Sequence, residues 1–90
     1  MNRVMQDLER IVKGLANRRR LAILKHLRQR REASVTDIAR AIKLSFKSTS
    51  RHLSVLGAAR LLEHEQRGLQ VFYRLSSGLP LFVRQLLTIL

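Results

Sequence analysis

The sequence predicts a mainly α-helical domain carrying one two-stranded β-hairpin, and three observations lead there. Apolar residues recur at the helical period in five separate segments. Side chains able to cap helices, Asn17, Ser34 and Ser45, stand just ahead of three of those segments. Between the last two segments Gly68 precedes Val71, Phe72 and Tyr73, the turn residue and the β-branched and aromatic run of a hairpin. No repeat, low-complexity segment or long linker divides the chain, so residues 1–90 are expected to form one small domain.

The first helix is expected from Asn2 to about Leu15. Val4, Leu8, Ile11 and Leu15 fall at a/d spacing, and Met5 and Val12 widen the apolar side. Ala16 and Asn17 break the pattern, and Asn17 caps a second helix whose inward residues are Leu21, Leu24 and Leu27, or Ile23 and Leu27. Arg28, Arg30 and Arg31 at its C-terminal end complement the helix dipole. Arg18, Arg19 and Arg20 lie at the other end, where the dipole disfavours cations. A nearby phosphate backbone explains them better than helix stability does, and a solvated basic cluster explains them equally well.

Ser34 to Asp37 is a capping-box variant, with Asp where Glu or Gln is usual, and it opens a short helix with Ile38, Ala39 and Ile42 inward. After Leu44, Ser45 caps the fourth helix by accepting from the amide of Ser48. Phe46, Thr49, Leu53 and Leu56 form its core stripe. Lys47, Arg51 and Ser54 take the opposite side, flanked by Ser48, Ser50 and His52. That outward face is cationic, rich in donors and free of carboxylates, which suits phosphates and base edges, although a solvated surface helix has the same outline. Two short helices joined by a tight turn, the second presenting such a face, make a helix-turn-helix. The hairpin follows, with strands in LLEHEQ and LQVFYRLS, and Arg67 expected at its tip beside Gly68. Ser76 to Pro80 breaks the chain before a last helix, about 80–90, that is apolar nearly all round.

Composition limits the chemistry. The chain has 18 Lys and Arg against 6 Asp and Glu, a formal net charge of +12, so polyanions are the expected partners. With no cysteine there is neither a disulfide framework nor a thiolate metal site, and His26, His52 and His64 share no ligand-like spacing. No metal and no cofactor is expected. His52 has two other uses, a contact to DNA or a contact beneath its own helix. Ser48, Ser50 and His52 lack an orienting acid, a glycine elbow and a phosphate loop, which argues against an enzyme. Glu63 and Glu65 share one strand face and are expected to pair with Arg74 or Arg67. Asp7 and Glu9 interrupt any secretory signal, and Leu79 to Leu90 is too short to span a bilayer, so a cytoplasmic protein without membrane attachment is expected.

The sequence resembles the ArsR family of winged helix-turn-helix transcriptional repressors over nearly its whole length. LANRRRLAILKHL is similar to the family's second helix, SVTDIARAIKLS to the first element of its helix-turn-helix, STSRHLSVL to its recognition helix and RGLQVFYRL to its wing. The resemblance implies a homodimer paired through the first and last helices, with each recognition helix in a major groove and the wings on the flanking backbone or minor groove. Carried over by position, it implicates Lys47, Ser48, Ser50, Arg51 and His52 in the groove and Arg67 at the wing, to which the charge argument adds Arg18. Val4, Leu8, Ile11, Leu15, Phe82, Leu86 and Leu90 are the expected dimer residues.

Two departures stand out. Arg60 occupies the place of a glycine usual before the wing. ASVTDIA replaces the Cys motif of metal-responsive members, and the last helix offers Arg84, Gln85 and Thr88 where others carry Asp and His. The expected function is therefore a repressor on a palindromic operator in double-stranded DNA, without the family's metal-sensing residues. An effector, if one acts, would be a small apolar molecule between the terminal helices or another protein. A protein-binding winged-helix module and a non-specific architectural DNA binder remain as alternatives.

Overall fold

A computed structural model of the chain describes residues 2–90. Its elements in order are α1 (Arg3–Leu15), α2 (Arg18–Gln29), β1 (Ala33–Ser34), α3 (Val35–Ile42), α4 (Phe46–Ala58), β2 (Leu62–Arg67), β3 (Gln70–Leu75) and α5 (Leu81–Thr88). The caps act where the side-chain chemistry indicates. Asn17 Oδ1 accepts from the Arg20 amide at 3.1 Å, Ser34 Oγ from Asp37 at 3.1 Å and Ser45 Oγ from Ser48 at 3.1 Å, each satisfying a donor that the first helical turn leaves free. Asn2 does the same for α1, accepting from the Met5 amide at 2.8 Å.

Two helices end on a left-handed residue that is not glycine. Lys43 (φ 56°) and Arg60 (φ 61°) both adopt the left-handed conformation just past α3 and α4. At Arg60 the hydrogen bonds are those of a Schellman motif: the Arg60 amide donates to Gly57 O at 2.9 Å and the Leu61 amide to Leu56 O at 3.0 Å. This reversal drops Leu61, fully buried, into the core and starts β2. Arg60 thus performs the turn that a glycine would make more easily.

The sheet has three antiparallel strands in the order β1-β3-β2, where the sequence pointed to two. The added strand is only Ala33–Ser34, paired with Tyr73 and Phe72, and it owes its existence to that distant partner rather than to its own composition. The hairpin register pairs Arg67 with Gln70, so the turn is Gly68–Leu69 and Arg67 ends β2 instead of occupying the tip. Gly68 at φ 63° supplies the first central dihedral of the turn.

Ile23, Leu24, Leu27, Ile38, Leu53, Leu56, Leu61 and Val83 close the core, with exposures of 0–2%. Arg28 donates from its guanidinium to the Leu87 carbonyl and ties α5 to α2. Ile11, Leu15 and Leu90 pack against this core, which leaves Val4, Met5, Leu8, Val12, Leu81, Phe82 and Ile89 as the exposed apolar residues of the terminal helices. Two expected core residues are outside it: Leu21 is only half-buried, with Ile23, Leu24 and Leu27 inward instead, and Phe46 is 59% exposed. As the first residue of α4 it has no preceding helical turn to lie against, so the stripe begins at Thr49.

Candidate nucleic-acid interface

The helix-turn-helix is α3, the turn at Lys43 to Ser45, and α4. Thr49, Leu53 and Leu56, all 0% exposed, seat α4 on the domain, and Lys47, Arg51 and Ser54 point to solvent on the other side. Ser48 and Ser50 lie half-buried on the flanks. Holding the helix this way has a cost within it, because Thr49 Oγ1 is buried without a hydrogen-bond partner among the described residues.

His52 makes a contact on the inner side of its own helix. It is half-buried, and Arg20 Nη1 lies 3.3 Å from its Nδ1. The same guanidinium donates from Nε to Gly14 O at 2.7 Å and from Nη2 to Lys13 O at 3.0 Å. One side chain therefore bonds two carbonyls at the end of α1 and braces α4 from beneath. Of the three arginines assigned to a phosphate or to solvent, Arg20 has an internal role. Arg18 and Arg19 are exposed. The His52 imidazole is held below its ordinary pKa by burial first and then by the charges of Arg20, Arg19 and Arg51. As the neutral tautomer protonated on Nε2 it can accept at Nδ1.

The wing is closed on itself electrostatically. Arg67 donates to both Glu32 oxygens, at 2.6 and 3.0 Å, and to both Glu65 oxygens, at 3.2 and 3.3 Å, and its guanidinium lies 4.7 Å from the centroid of Phe72. Arg74 pairs with Glu63 at 3.3 Å and with Glu65 at 3.7 Å, the cross-strand pairing expected of that face. Bonding to Arg67 holds the Glu32 and Glu65 carboxyls below their ordinary pKa, and the two carboxylates hold Arg67 above its own. The outermost wing residue is Leu69, fully exposed at 101%.

The remaining carboxylates are also paired, Asp7 with Arg3, Glu9 with Lys13 and Asp37 with Arg40, so the cations left over lie elsewhere. Among the cations without a carboxylate partner, Arg18, Arg19, Lys43, Lys47 and Arg51 lie at the start of α2 and on the helix-turn-helix, and Arg10, Lys25, Arg30, Arg31, Arg60 and Arg84 are exposed elsewhere. Glu32, Arg20 and Phe46 are the residues that sequence reasoning misplaced or passed over. Glu32 lies 35 positions from Arg67 and Arg20 lies 32 from His52, separations at which no local spacing gives a signal. No group of three or more His, Asp or Glu among the described residues lies close enough to hold a metal ion, and no helix is long and apolar enough to cross a membrane.

A family model described as "Bacterial regulatory protein, arsR family" matches residues 17–64, from the cap of α2 into β2. Similar solved structures include HlyU from Vibrio cholerae, 30% identical with a TM-score of 0.80, covering 99% of this chain and 92% of that one. A homodimeric winged helix-turn-helix DNA-binding domain from Mycobacterium bovis, described as a possible ArsR-family transcriptional regulator, is 31% identical with a TM-score of 0.81, covering 96% of this chain and 76% of that one. The antimony-specific transcriptional repressor AntR is 27% identical with a TM-score of 0.78, covering 94% of this chain and 74% of that one.

Proposed function

The chain belongs to the ArsR family of DNA-binding winged-helix transcription regulators, and from that premise we propose that it is a repressor that binds a palindromic operator as a homodimer. The observation that carries the reading is the division of α4, with Thr49, Leu53 and Leu56 buried beneath an outward face of Lys47, Arg51 and Ser54. In this reading the first turn of α4 approaches base edges through Lys47 and Ser48, Ser50 lies on its flank, and Arg51, one turn along, reaches a guanine edge. Arg18 and Arg19 meet phosphates. His52 and Arg20 hold the helix at its angle rather than touching DNA.

The wing enters this proposal in a reduced role. The hairpin's own charges cancel, Glu63 and Glu65 against Arg67 and Arg74, and Arg67 is bound by two carboxylates. Arg67 is assigned to bracing the wing against Glu32, with backbone affinity coming mainly from α2 and the helix-turn-helix. The homodimeric state described for the M. bovis domain supports pairing of this chain, and the exposed apolar residues of α1 and α5 are the surface assigned to it. With no cysteine to supply thiolates, release from DNA is assigned to a small apolar molecule or a protein, or the repressor acts without an inducer.

Affinity for an operator selected from a random duplex library, compared with affinity for unselected duplex, tests the proposal against a non-specific DNA binder and a protein-binding module. Arg51→Ala should reduce operator affinity by roughly ten- to a hundredfold, the range for a lost bidentate base contact, with much less effect on random duplex. Arg18→Ala should weaken both alike and lower the slope of log affinity against log salt by about one. Arg67→Ala should change that slope less than Arg18→Ala, because its charge is already countered. Equal affinity of the unaltered protein for operator and random duplex would overturn the reading.

A further inference from the structure

Phe46 is a large apolar side chain in an unusual place. It is the first residue of α4, 59% exposed, and is not among the apolar residues that pack against the core. Leu53 and Leu56 of the same helix are fully buried, and Val55 is exposed to a smaller extent, 38%. Its position is well defined. The Ser45–Ser48 capping bond fixes the first turn, and a helical side chain leans toward the N-terminus of its helix, which sets Phe46 at the leading end of α4. Its neighbour in that turn is the exposed Lys47.

The start of a recognition helix is the part that enters deepest toward base edges. A major groove presents one apolar substituent there, the C5-methyl of thymine, among hydrogen-bond donors and acceptors. We propose that Phe46 is a specificity-determining residue that packs its ring on a thymine methyl, so that each operator half-site carries a thymine recognised by its methyl group and not by hydrogen bonding. The inference rests on the DNA-binding reading above and adds a base to it. It also gives the exposed ring a use that solvent does not, since the apolar area is removed from water only in the complex.

Deoxyuridine differs from thymine by that methyl alone and keeps every hydrogen-bonding group. The test is a scan in which each thymine of the selected operator is replaced in turn by deoxyuridine, measured with the unaltered protein, Phe46→Ala and Phe46→Leu. The unaltered protein should lose roughly three- to fivefold in affinity at one thymine per half-site, the value of burying a single methyl. Phe46→Ala should bind the thymine operator more weakly and be indifferent to uracil at that position, while keeping the unaltered protein's response elsewhere. Phe46→Leu should retain part of the discrimination. Circular dichroism melting of the exposed-site variants checks that they fold. Discrimination unchanged in Phe46→Ala, or no thymine at which the unaltered protein discriminates, overturns the proposal. Failure of the DNA-binding reading is a separate observation, namely no preference of the unaltered protein for the selected operator over random duplex, and the thymine contact falls with it.

Discussion

His52 is the residue at which charge, packing and the recognition helix meet. Its sequence neighbours, Arg51 and Leu53, have single roles, outward and inward, whereas His52 accepts from Arg20 at the boundary between them. Protonation would set an imidazolium against Arg20, Arg19 and Arg51 and remove the lone pair that Arg20 uses. The folded-state pKa is depressed, so the unfolded chain binds this proton at higher pH than the folded protein does. Stability from this group is complete above the ordinary imidazole value of about 6.5 and falls as pH drops from there toward the folded value. Urea denaturation at steps between pH 8 and pH 5 should show stability declining through that window in the unaltered protein, and the decline should flatten in His52→Gln. Glu32 and Glu65 do not obscure the measurement. Their folded pKa values are also depressed, so their stabilisation is full above the ordinary carboxylate value and is lost only in more acidic solution. An equal decline in His52→Gln would show that the proton is not taken up at His52.

Among the elements, those with local signals were legible in the sequence and those made by distant partners were not. Asn17, Ser34 and Ser45 marked helix starts because a capping bond spans only three residues. The strand at Ala33–Ser34 left no pattern, since its pairing to Tyr73 and Phe72 is set by how the hairpin folds back. The hairpin itself was evident from Gly68, but its turn was displaced by one residue, which moved Arg67 from the tip onto β2 and into reach of Glu32. Phe46 was misassigned because periodicity gives direction around a helix and says nothing about where the neighbouring surface ends. The same distinction explains Arg60. Its departure from glycine left the entry to the wing open, yet the Schellman bonds form around Arg60 all the same, with the backbone at φ 61°. An L side chain in that conformation costs about 1 kcal/mol or more, offset in part by glycine's greater freedom when unfolded. Arg60→Gly should therefore raise stability by about 0.5 to 1 kcal/mol, read by urea denaturation at neutral pH. A loss of stability would mean that the Arg60 side chain makes a favourable interaction large enough to outweigh its backbone.

At the scale of the whole molecule, the unresolved requirement is a cover for the terminal helices. Val4 is 76% exposed and Ile89 78%, and Met5, Leu8, Val12, Leu81 and Phe82 are exposed with them, while Ile11, Leu15 and Leu90 pack on the chain's own core. The expected dimer residues thus divide by depth. Ile11, Leu15 and Leu90 join α1 and α5 to the domain, Leu86 is half-buried, and Val4, Leu8 and Phe82, with Met5, Val12, Leu81 and Ile89 added, remain for a partner. A chain of 90 residues has a small core, so burying this apolar surface in an isologous pair would add stability that the single domain lacks. Pairing also has an opponent, the mutual repulsion of two chains that each carry a formal charge of +12. Screening weakens that repulsion, whereas apolar burial does not depend on ionic strength in the same way. Dimerisation should accordingly tighten with added salt even as DNA affinity falls, a divergence that separates the two surfaces. Light scattering at micromolar concentration should give twice the chain mass. Leu8→Glu should shift the protein toward monomer, because it places a carboxylate at an exposed position of α1 and leaves the core untouched, and the variant should keep its helical circular dichroism. A folded monomer in the unaltered protein at moderate salt would remove the two-fold symmetry expected of the operator, since half-site spacing reflects the symmetry of the protein that binds it.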